Sequence, residues 1–406
     1  IAVAVFAACM PTYLNRIEHT ALCAHWILLL ALGLYFRSVN YRDSKVYIII
    51  LSIITILTLL IHPYLMVMVL LLQLAFPLGK LSESKSIKKS ILYFIPNLIT
   101  ISIIFVIGYI LKYWDASGGG GYGQYSMNIA SLFWPAHSSL FPNFASVDAT
   151  GAQYFEGYQY LGAGFLILIL AIVATNNGRR IFSRAYHKYQ GLFIVCIGLI
   201  FISVSNKIYF FHINLLHLPF HFPGAKQLRS SGRFFWPVSY FVLLGCVGSI
   251  RKVYPRVWPV ILMLCMVLQW VDTHGLRMQL KNSQNIFSMQ ETDSDRKAME
   301  LISNFKNLEI YPRLECDMSN SDLDMKYIYL AAIKNIPVNT MYLARTPKAL
   351  KCDPQKDQPH EVNADTLVLL TGSHAVSLAN TLEQSTNMIC QPFNGHEMAC
   401  FLKKKQ

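Results

Sequence analysis

Charged residues are scarce in this chain of 406 residues, and acidic residues are the scarcer sign. Asp, Glu, Lys and Arg together make up 14% of the chain, whereas soluble globular domains contain about 25%. Hydrophobic residues reach 54%, and the 35 Lys and Arg outnumber the 22 Asp and Glu to give a net charge of +13. This composition excludes an ordinary soluble domain and predicts a membrane protein.

Several motifs that would indicate other functions are missing. No basic stripe accompanies a nucleic-acid recognition motif, so we predict no nucleic-acid partner. No CxxC pair is present, which disfavours a structural zinc site, and no Gly-rich phosphate loop follows a predicted strand, which disfavours a nucleotide site. The long apolar runs hold almost no ionisable residue near their middles, which disfavours an ion-coupled transporter.

Apolar runs suited to membrane-spanning helices recur through the first two thirds of the chain. They cover residues 21–36, 46–61, 64–78, 91–111, 160–174, 192–204, 234–250 and 257–271. Several are shorter than the roughly 20 residues that cross hydrocarbon, so we expect their ends to extend into interfacial aromatic residues. We interpret a further short run, 1–10, as the outer end of a helix that begins earlier. The sequence thus predicts a transmembrane bundle over 1–271 with about nine spans, the first partial.

The loops between these runs alternate in charge. Every second loop is basic, and these loops hold Arg37, Arg42, Lys45, Lys80, Lys85, Lys88, Lys89, Arg179, Arg180, Arg184, Lys188, Arg251, Lys252 and Arg256. Loops rich in Lys and Arg stay cytoplasmic. We therefore predict that the other loops, which are aromatic and rich in Gly and Pro, and the tail after Val271 lie outside the cytoplasm.

The tail, 272–406, is long enough for a small extracytoplasmic domain. Amphipathic patterns predict helices over 293–305, 321–335 and 373–382, with Asp293 and Ser321 as caps of the first two. Strand patterns cover 308–314, 337–343 and 366–370, and 388–402 reads as a hairpin around Asn394-Gly395. Alternating strands and helices predict an α/β fold with a parallel sheet.

The nine cysteines divide between the two regions. Five lie in or near apolar runs, where Cys behaves as a small hydrophobe: Cys9, Cys23, Cys196, Cys246 and Cys265. The other four, Cys316, Cys352, Cys390 and Cys400, lie in the tail, on the side predicted to be oxidising. We predict disulfides Cys390–Cys400, across the hairpin, and Cys316–Cys352, which follows by elimination. Zinc binding by the four is the alternative.

Polar residues predicted to face outside collect in three segments before or between the runs. The segments are 11–19, with Arg16 and His19; 61–64, with His62 and Tyr64; and 205–237, with Arg229 and Arg233. Chemistry at the outer membrane face would use these side chains. For His62 a purely structural role in the tight turn is the alternative.

Arg229 and Arg233 carry the sharpest signal. They are four residues apart, so on a helix they would share one face. They also stand where the chain enters the membrane, on the side where cations are disfavoured. Paired guanidiniums in that position suit a phosphate or pyrophosphate. Two alternatives stay open: the side chains reach lipid headgroups, or they pair with Asp115, Asp148 or Glu156.

The long outer loop 112–158 is rich in aromatic residues and glycine. A loop of this length is usually functional or disordered, and its aromatic content argues against plain disorder. Aromatic side chains with a few carboxylates, here Asp148 and Glu156, often line sugar sites, although aromatics also suit the membrane interface. The glycines permit motion, so part of the loop is a candidate lid.

Taken together, these segments resemble a known group of proteins. The motifs are Arg16-Ile17-Glu18-His19, His25-Trp26, His62-Pro63-Tyr64, Tyr154-Phe155-Glu156-Gly157-Tyr158-Gln159-Tyr160-Leu161-Gly162 and Arg229-Ser230-Ser231-Gly232-Arg233-Phe234-Phe235-Trp236-Pro237. The chain resembles a bacterial family of multispanning membrane proteins, whose architecture is similar to that of GT-C glycosyltransferases. Those enzymes carry an acidic residue in their first outer loop, and here that loop would precede Ile1.

The resemblance implies a reaction and a location. The reaction is transfer of a sugar from a polyprenyl-phosphate carrier to a glycan, lipid or protein acceptor outside the bacterial cytoplasmic (inner) membrane. A carboxylate would deprotonate the acceptor, and Glu156 and Asp148 are the candidates. Cations would stabilise the departing lipid phosphate. The substrate-binding candidates are Arg16, His19, His62, Tyr64, Arg229 and Arg233.

Other classes of function stay open. The resemblance assigns no cofactor with certainty, and a divalent cation is an alternative, although the sequence shows no metal-binding motif. A transporter or lipid flippase would also be polytopic and basic inside. A non-catalytic scaffold for envelope polysaccharide assembly would share the same topology.

Overall fold

The computed structural model describes all residues except 18, 41–43, 84–90, 114–120, 220–223, 226, 288–291, 318, 320, 343–358, 360–361, 396 and 403–406. The chain forms two compact units. The first comprises Ile1–Trp114 with Gly118–Gln284, and the second comprises Asp115–Ser117 with Asn285–Gln406. Four residues of the predicted basic loops, Arg42, Lys85, Lys88 and Lys89, lie outside the described residues.

The first unit is helical. Its helices are α1 Ala2–Ala8, α2 Pro11–Leu14, α3 Trp26–Asn40, α4 Ser44–Ile61, α5 Pro63–Glu83, α6 Ile95–Ile110, α7 Ala163–Val173, α8 Asn176–Lys188, α9 Gln190–Val204, α10 Trp236–Val253, α11 Trp258–Asp272 and α12 His274–Phe287. The last of these, α12, extends three residues past the end of the unit. A helix covers most of each apolar run named above. Leu, Ile and Val dominate these runs. A helix suits such runs in a membrane, because its backbone satisfies its own hydrogen bonds where water is absent.

Four segments of the described chain are long and apolar enough to cross a membrane. They are Thr20–Asn40, Pro63–Ser82, Leu92–Ile110 and Ser231–Val253. Two bent pairs, α7 with α8 and α11 with the start of α12, raise the number to six if each pair is one span. The apolar helices Lys45–Ile61 and Gln190–Val204 are shorter. The chain is therefore consistent with a multi-pass membrane protein, while the nine spans and their orientation stay predictions.

Polar side chains join three of these helices in their interior. Gln73 of α5 accepts a hydrogen bond from Thr55 of α4 (2.9 Å) and donates to Ser52 of α4 (2.9 Å) and Thr100 of α6 (3.2 Å). Gln73, Thr55 and Thr100 are fully buried. In a membrane such hydrogen bonds hold helices together, because the polar groups find no water there.

Helices α7 and α11 pack through glycine. Gly162 has a positive φ of 91°, and a Cβ built on it would lie 2.2 Å from the Gln269 amide. The same Gln269 accepts from the Phe165 N–H (3.0 Å) and donates to the carbonyls of Cys9 (3.0 Å) and Leu161 (3.1 Å). The start of α7 is thus tied to α11 through one buried amide.

A two-stranded antiparallel hairpin follows α9, in a segment where we predicted no strand. It consists of β1 Lys207–Phe210 and β2 Ile213–His217. The side chains of β2 are exposed throughout. The alternation of apolar and polar residues is short here, which is why periodicity alone did not reveal the strands.

The second unit combines helices with a four-stranded sheet, as predicted, but the sheet is mixed rather than parallel. Its elements are α13 Asp293–Ser303, β3 Asn307–Tyr311, α14 Ser321–Ile333, β4 Thr366–Leu370, α15 Ala375–Ser385, β5 Met388–Pro392 and β6 Met398–Leu402. The sheet has the order β3-β4-β6-β5, in which β3 and β4 are parallel and the others antiparallel. Alternating apolar residues of β3 face the core made by α13 and α14.

Two local predictions for this unit were wrong. The segment predicted as a strand over 337–343 forms, in its described part, only an isolated bridge from Val338 to Leu308. The N-cap of α13 is Thr292 rather than Asp293. Thr292 and Asp295 form a reciprocal capping box, which satisfies two backbone N–H groups and outcompetes a cap one residue later.

The terminal hairpin carries the predicted disulfide between Cys390 and Cys400. The two residues are directly opposite in the β5–β6 register, with their Cα atoms 4.1 Å apart. Cys316 is also disulfide-bonded. Because Cys352 lies outside the described residues, the Cys316–Cys352 pairing stays a prediction.

Candidate functional site

Three distant segments of the first unit meet at a buried ion cluster. Arg233 donates from Nε to Oε2 of Glu156 (2.7 Å) and from Nη2 to Oε1, so the pair is bidentate. Arg16 Nη2 lies 3.3 Å from Glu156 Oε2 and also donates to the carbonyl of Phe155. Arg16 follows α2, Glu156 ends the outer loop, and Arg233 lies in a 3₁₀ helix, Ser231–Phe235, that leads into α10. We call Arg16, Glu156 and Arg233 the ion cluster.

The ion cluster is withdrawn from solvent. The exposed fractions are 3% for Arg16, 4% for Glu156 and 8% for Arg233. Burial alone would raise the pKa of the Glu156 carboxyl, but hydrogen bonds and charge from Arg233, with the charges of Arg16 and His19, hold it below its usual value. The carboxylate is therefore ionised at neutral pH, and its charge is stabilised by guanidiniums rather than by water.

The backbone around the ion cluster is closely packed. Gly232 donates its N–H to the Tyr125 carbonyl (3.0 Å), and Gln159 donates to the Gly232 carbonyl (2.8 Å). A Cβ on Gly232 would lie 2.7 Å from the Glu156 carbonyl oxygen. Glycine at this position allows the loop that carries Glu156 to reach the helix that carries Arg233.

Aromatic rings surround the guanidiniums. Arg16 stacks over the Phe155 ring (4.0 Å) and Arg233 over the Tyr64 ring (4.7 Å). The Tyr64 hydroxyl accepts from the Ser230 N–H (2.9 Å), so the tight outer turn is joined to the segment before α10. Cation–π contacts of this kind fix the planes of the guanidiniums.

The two predicted histidines lie beside these rings. The His62 Nδ1 atom accepts from the Tyr64 N–H (3.1 Å), which fits the turn-forming role considered above. The His19 ring packs against Phe155 at 6.3 Å. The structure thus brings five predicted binding residues, Arg16, His19, His62, Tyr64 and Arg233, into one connected cluster with Glu156.

Arg229 is placed differently from the expectation. The 3₁₀ helix begins at Ser231, so Arg229 precedes it and does not share a helix face with Arg233. Arg229 is half-buried, and its guanidinium carbon lies 5.3 Å from the centre of the Tyr125 ring. Arg229 makes no ion pair with any acidic residue in the part of the chain that the structure describes. Asp115, one predicted partner, lies outside that part.

Asp148 organises a turn of the outer loop. Its Oδ1 atom accepts from the N–H groups of Thr150 (3.0 Å), Gly151 (2.8 Å) and Gln153 (3.2 Å). The Thr150 hydroxyl in turn donates to the carbonyl of Gln124 (2.6 Å). Gln124 precedes Tyr125, whose ring contacts the Arg229 guanidinium. The turn of Asp148 therefore lies against the same segment as Arg229.

A second buried carboxylate was not predicted. Asp272, at the end of α11, accepts from Ser138 and from the Ala163 N–H (2.8 Å) at the start of α7. Its position directly after the apolar run 257–271 gave no signal beyond a helix end. Asp272 thus has a structural role, because it satisfies an N-terminal backbone group of a neighbouring helix.

A second polar contact joins two of the resemblance motifs. His25 Nδ1 lies 2.7 Å from the Tyr240 hydroxyl, and its ring packs on Trp236 at 4.3 Å. This contact connects the His25-Trp26 motif to the helix that follows Arg233. Among the described residues, no three His, Cys, Asp or Glu side chains gather closely enough to hold a metal ion.

A family model covers this unit. Residues 1–274 match the model described as Domain of unknown function (DUF6311). The chain belongs to the DUF6311 family. Residues 298–401 match a second model, the DUF6311 C-terminal domain. No curated protein and no solved structure matches this DUF6311 chain. The ion cluster lies within the DUF6311 match, whereas the disulfide hairpin lies in the C-terminal domain.

Proposed function

We propose that this protein is a membrane glycosyltransferase that takes its sugar from a polyprenyl-phosphate carrier. The observation that carries the proposal is Arg229, a half-buried residue with no acidic partner among the described residues. Its guanidinium lies over the ring of Tyr125, whose carbonyl accepts from the Gly232 N–H beside Arg233. A guanidinium presents a planar fork of donors that matches phosphate. The proposed acceptor is a glycan or lipid of the envelope, outside the cytoplasmic membrane.

The three arginines, Arg16, Arg229 and Arg233, would have different roles in the proposed site. Arg233 and Arg16 are committed to Glu156, so their hydrogen bonds are largely used within the ion cluster. They support the proposal as fixed positive charge behind the site. Arg229 is the cation that we assign to direct contact with the phosphate, with the Tyr125 ring holding its plane.

The proposed reaction forms one bond and breaks one. An acceptor hydroxyl oxygen attacks the anomeric carbon of the sugar, and the bond from that carbon to the carrier phosphate breaks with its electron pair staying on the phosphate. The hydroxyl proton passes to a carboxylate. Both oxygens of Glu156 are bonded to Arg233. We therefore favour Asp148 as the proton acceptor. Its Oδ1 atom accepts hydrogen bonds from backbone N–H groups of the turn, and its Oδ2 atom makes no hydrogen bond within the described residues.

Binding of the carrier tests the proposal without knowledge of the sugar. We expect the purified full-length protein to bind polyprenyl phosphate in preference to the neutral polyprenol, measured by native mass spectrometry. Arg229→Lys should weaken binding of the phosphate about tenfold, because a charge-assisted fork worth roughly 1.5–3 kcal/mol is replaced by a point charge. Binding of polyprenol should stay unchanged.

Arg277→Lys is the matched control. Arg277 also stacks on an aromatic ring, that of Trp270 at 3.5 Å, but it donates to the Trp270 carbonyl and Thr273. Its replacement should leave phosphate binding intact. Equal affinity for phosphate and alcohol, or equal effects of the two substitutions, would argue for a scaffold rather than a carrier-dependent enzyme.

A further inference from the structure

Helix α8 turns sharply away from the apolar helix before it. The axes of α7 and α8 differ by 93°, with the break between Val173 and Asn176. Thr175 caps the new helix by accepting from the Gly178 N–H (2.9 Å). With 13 residues α8 is about 20 Å long, too short to cross a membrane. Helix α8 therefore runs nearly at a right angle to α7, which consists of apolar residues.

The surface of α8 is divided into three stripes. Gly178 is buried and Ile181 packs against the core of the unit, so this stripe faces the protein. Phe182 and Tyr186, one turn apart, form an aromatic stripe and are 62% and 46% exposed. The third stripe is basic and solvent-exposed. Together with the first turn of α8, it contains Arg179, Arg180, Arg184 and Lys188.

The aromatic stripe adjoins a surface that faces lipid. The rings of Phe182 and Tyr186 lie 5.4 and 5.3 Å from the ring of Phe193 in α9. Farther along α9, Ile197 and Phe201 are largely exposed. Exposed apolar side chains on a membrane helix contact acyl chains. The aromatic stripe is therefore continuous with this surface.

The basic stripe has few partners within the protein. Arg179 donates to Asn176 (2.6 Å), and Lys188 lies 5.5 Å from the Tyr189 ring. Within the described ranges, neither Arg180 nor Arg184 forms an ion pair. Helices with an aromatic side and a cationic side lie in the plane of the membrane interface, where the cations meet anionic headgroups.

We propose that α8 is an interfacial helix that binds anionic phospholipid headgroups. Arg180 and Arg184 contact the headgroup phosphates, while Phe182 and Tyr186 enter the acyl boundary beside Phe193. An acidic protein partner would account for the cations but leave the aromatic stripe, which joins the lipid-facing surface of α9, without a role. The basic-loop pattern predicts that this is the cytoplasmic leaflet. The inference is independent of the proposed enzymatic function.

Lipid retention tests the basic stripe. The purified full-length protein is incubated with phosphatidylglycerol or phosphatidylcholine, and bound lipids are counted by native mass spectrometry. Arg180→Gln/Arg184→Gln should lower retention of phosphatidylglycerol about fivefold or more, since each cation near an anionic surface contributes measurably to attraction. Retention of phosphatidylcholine should not change. The control, Lys297→Gln/Lys334→Gln, removes two exposed cations from the second unit and should have no effect.

A spin label tests the aromatic stripe. In vesicles of phosphatidylcholine and phosphatidylglycerol, a label on Tyr186→Cys should be relaxed by oxygen dissolved in the acyl region. A label on Ser183→Cys, on the polar side of α8, should instead be relaxed by a water-soluble nickel chelate. The proposal is overturned if both labels respond mainly to the chelate, or if Arg180→Gln/Arg184→Gln and the lysine control retain phosphatidylglycerol equally.

Discussion

At the scale of the residue, Glu156 decides whether the ion cluster is stable. A carboxylate loses several kcal/mol of hydration on burial, and only close cations with good hydrogen bonds compensate for that loss. Arg233 supplies two such bonds and Arg16 a further ion pair. The arginines depend on Glu156 in turn, because they are also buried. Each member of the cluster is thus tolerated only while the others are present.

We predict that Glu156→Gln destabilises the first unit by about 3–5 kcal/mol, since it leaves two buried guanidiniums without their shared carboxylate. The five Trp residues that the structure describes all lie in the first unit, so tryptophan fluorescence during denaturant unfolding in micelles follows that unit. Glu300→Gln, at an exposed position of α13, is the control and should be neutral. Equal stability of the two variants would show that the cluster contributes nothing to the fold.

The same substitution should change the response to acid. The pKa of Glu156 is lowered in the folded protein, so its charge contributes stability that is present above the ordinary carboxyl value of about 4.3. That contribution is lost as the pH falls through the lowered folded value. Below pH of about 4, wild type should therefore lose stability more steeply than Glu156→Gln. Parallel pH profiles for the two proteins would contradict this assignment.

At the scale of the element, glycine sets how closely helices approach. A Cβ on Gly191, in the first turn of α9, would lie 1.9 Å from the Ala75 carbonyl oxygen and 2.4 Å from the Gly79 nitrogen in α5. The helices α5 and α9 therefore meet with backbone against backbone. Close contact of this kind is a main source of association between membrane helices, because lipid offers no hydrophobic driving force.

Gly191→Ala should separate α5 from α9 and lower the unfolding temperature of the first unit by several degrees. Gly198→Ala is the matched control, since Gly198 lies in the same helix and has open space where its Cβ would be. It should be neutral or mildly stabilising, because alanine favours helix. Thermal unfolding followed by tryptophan fluorescence separates the two. A loss of the same size in both variants would point to helix propensity rather than packing.

At the scale of the whole molecule, the prediction to test is the orientation. The alternation of basic loops predicts that α8 lies on the cytoplasmic side and the second unit outside. The Cys390–Cys400 disulfide agrees with an oxidising compartment for that unit. The basic loops and the disulfide are unrelated features of the chain, and both predict that the second unit lies outside the cytoplasm.

Single cysteines at two exposed serines test this orientation. In a Cys23→Ser background, Ser303→Cys in the second unit should react with an impermeant maleimide in intact cells. Ser183→Cys in α8 should react only after the membrane is opened. The other unpaired cysteines among the described residues are buried and should contribute little labelling. Labelling of Ser183→Cys but not Ser303→Cys in intact cells would invert the topology.

The sequence by itself determined the elements whose signals are local. Runs of Leu and Ile predict helices, since an unpaired backbone is too costly in lipid. Strand and helix periods in the tail predict an α/β unit, and an Asn-Gly turn places Cys390 opposite Cys400. The cap at Asp293 failed because Thr292, one residue earlier, forms a capping box with Asp295. The strand over 337–343 failed beyond the Val338 bridge, where the Ile310 N–H donates to the Asn339 side chain instead of to its backbone.

Only the tertiary structure decided how the candidate site is built. The sequence offered Asp115, Asp148 and Glu156 as partners for the arginines, and nothing local chooses among them. Glu156 and Arg233 are 77 residues apart, and the choice depends on the close approach of Gly157 and Gly232. The expected shared face of Arg229 and Arg233 was wrong because the helix begins after Arg229. Long-range packing, which no short pattern encodes, therefore pairs Arg233 with Glu156 and leaves Arg229 as the cation that we propose binds a ligand.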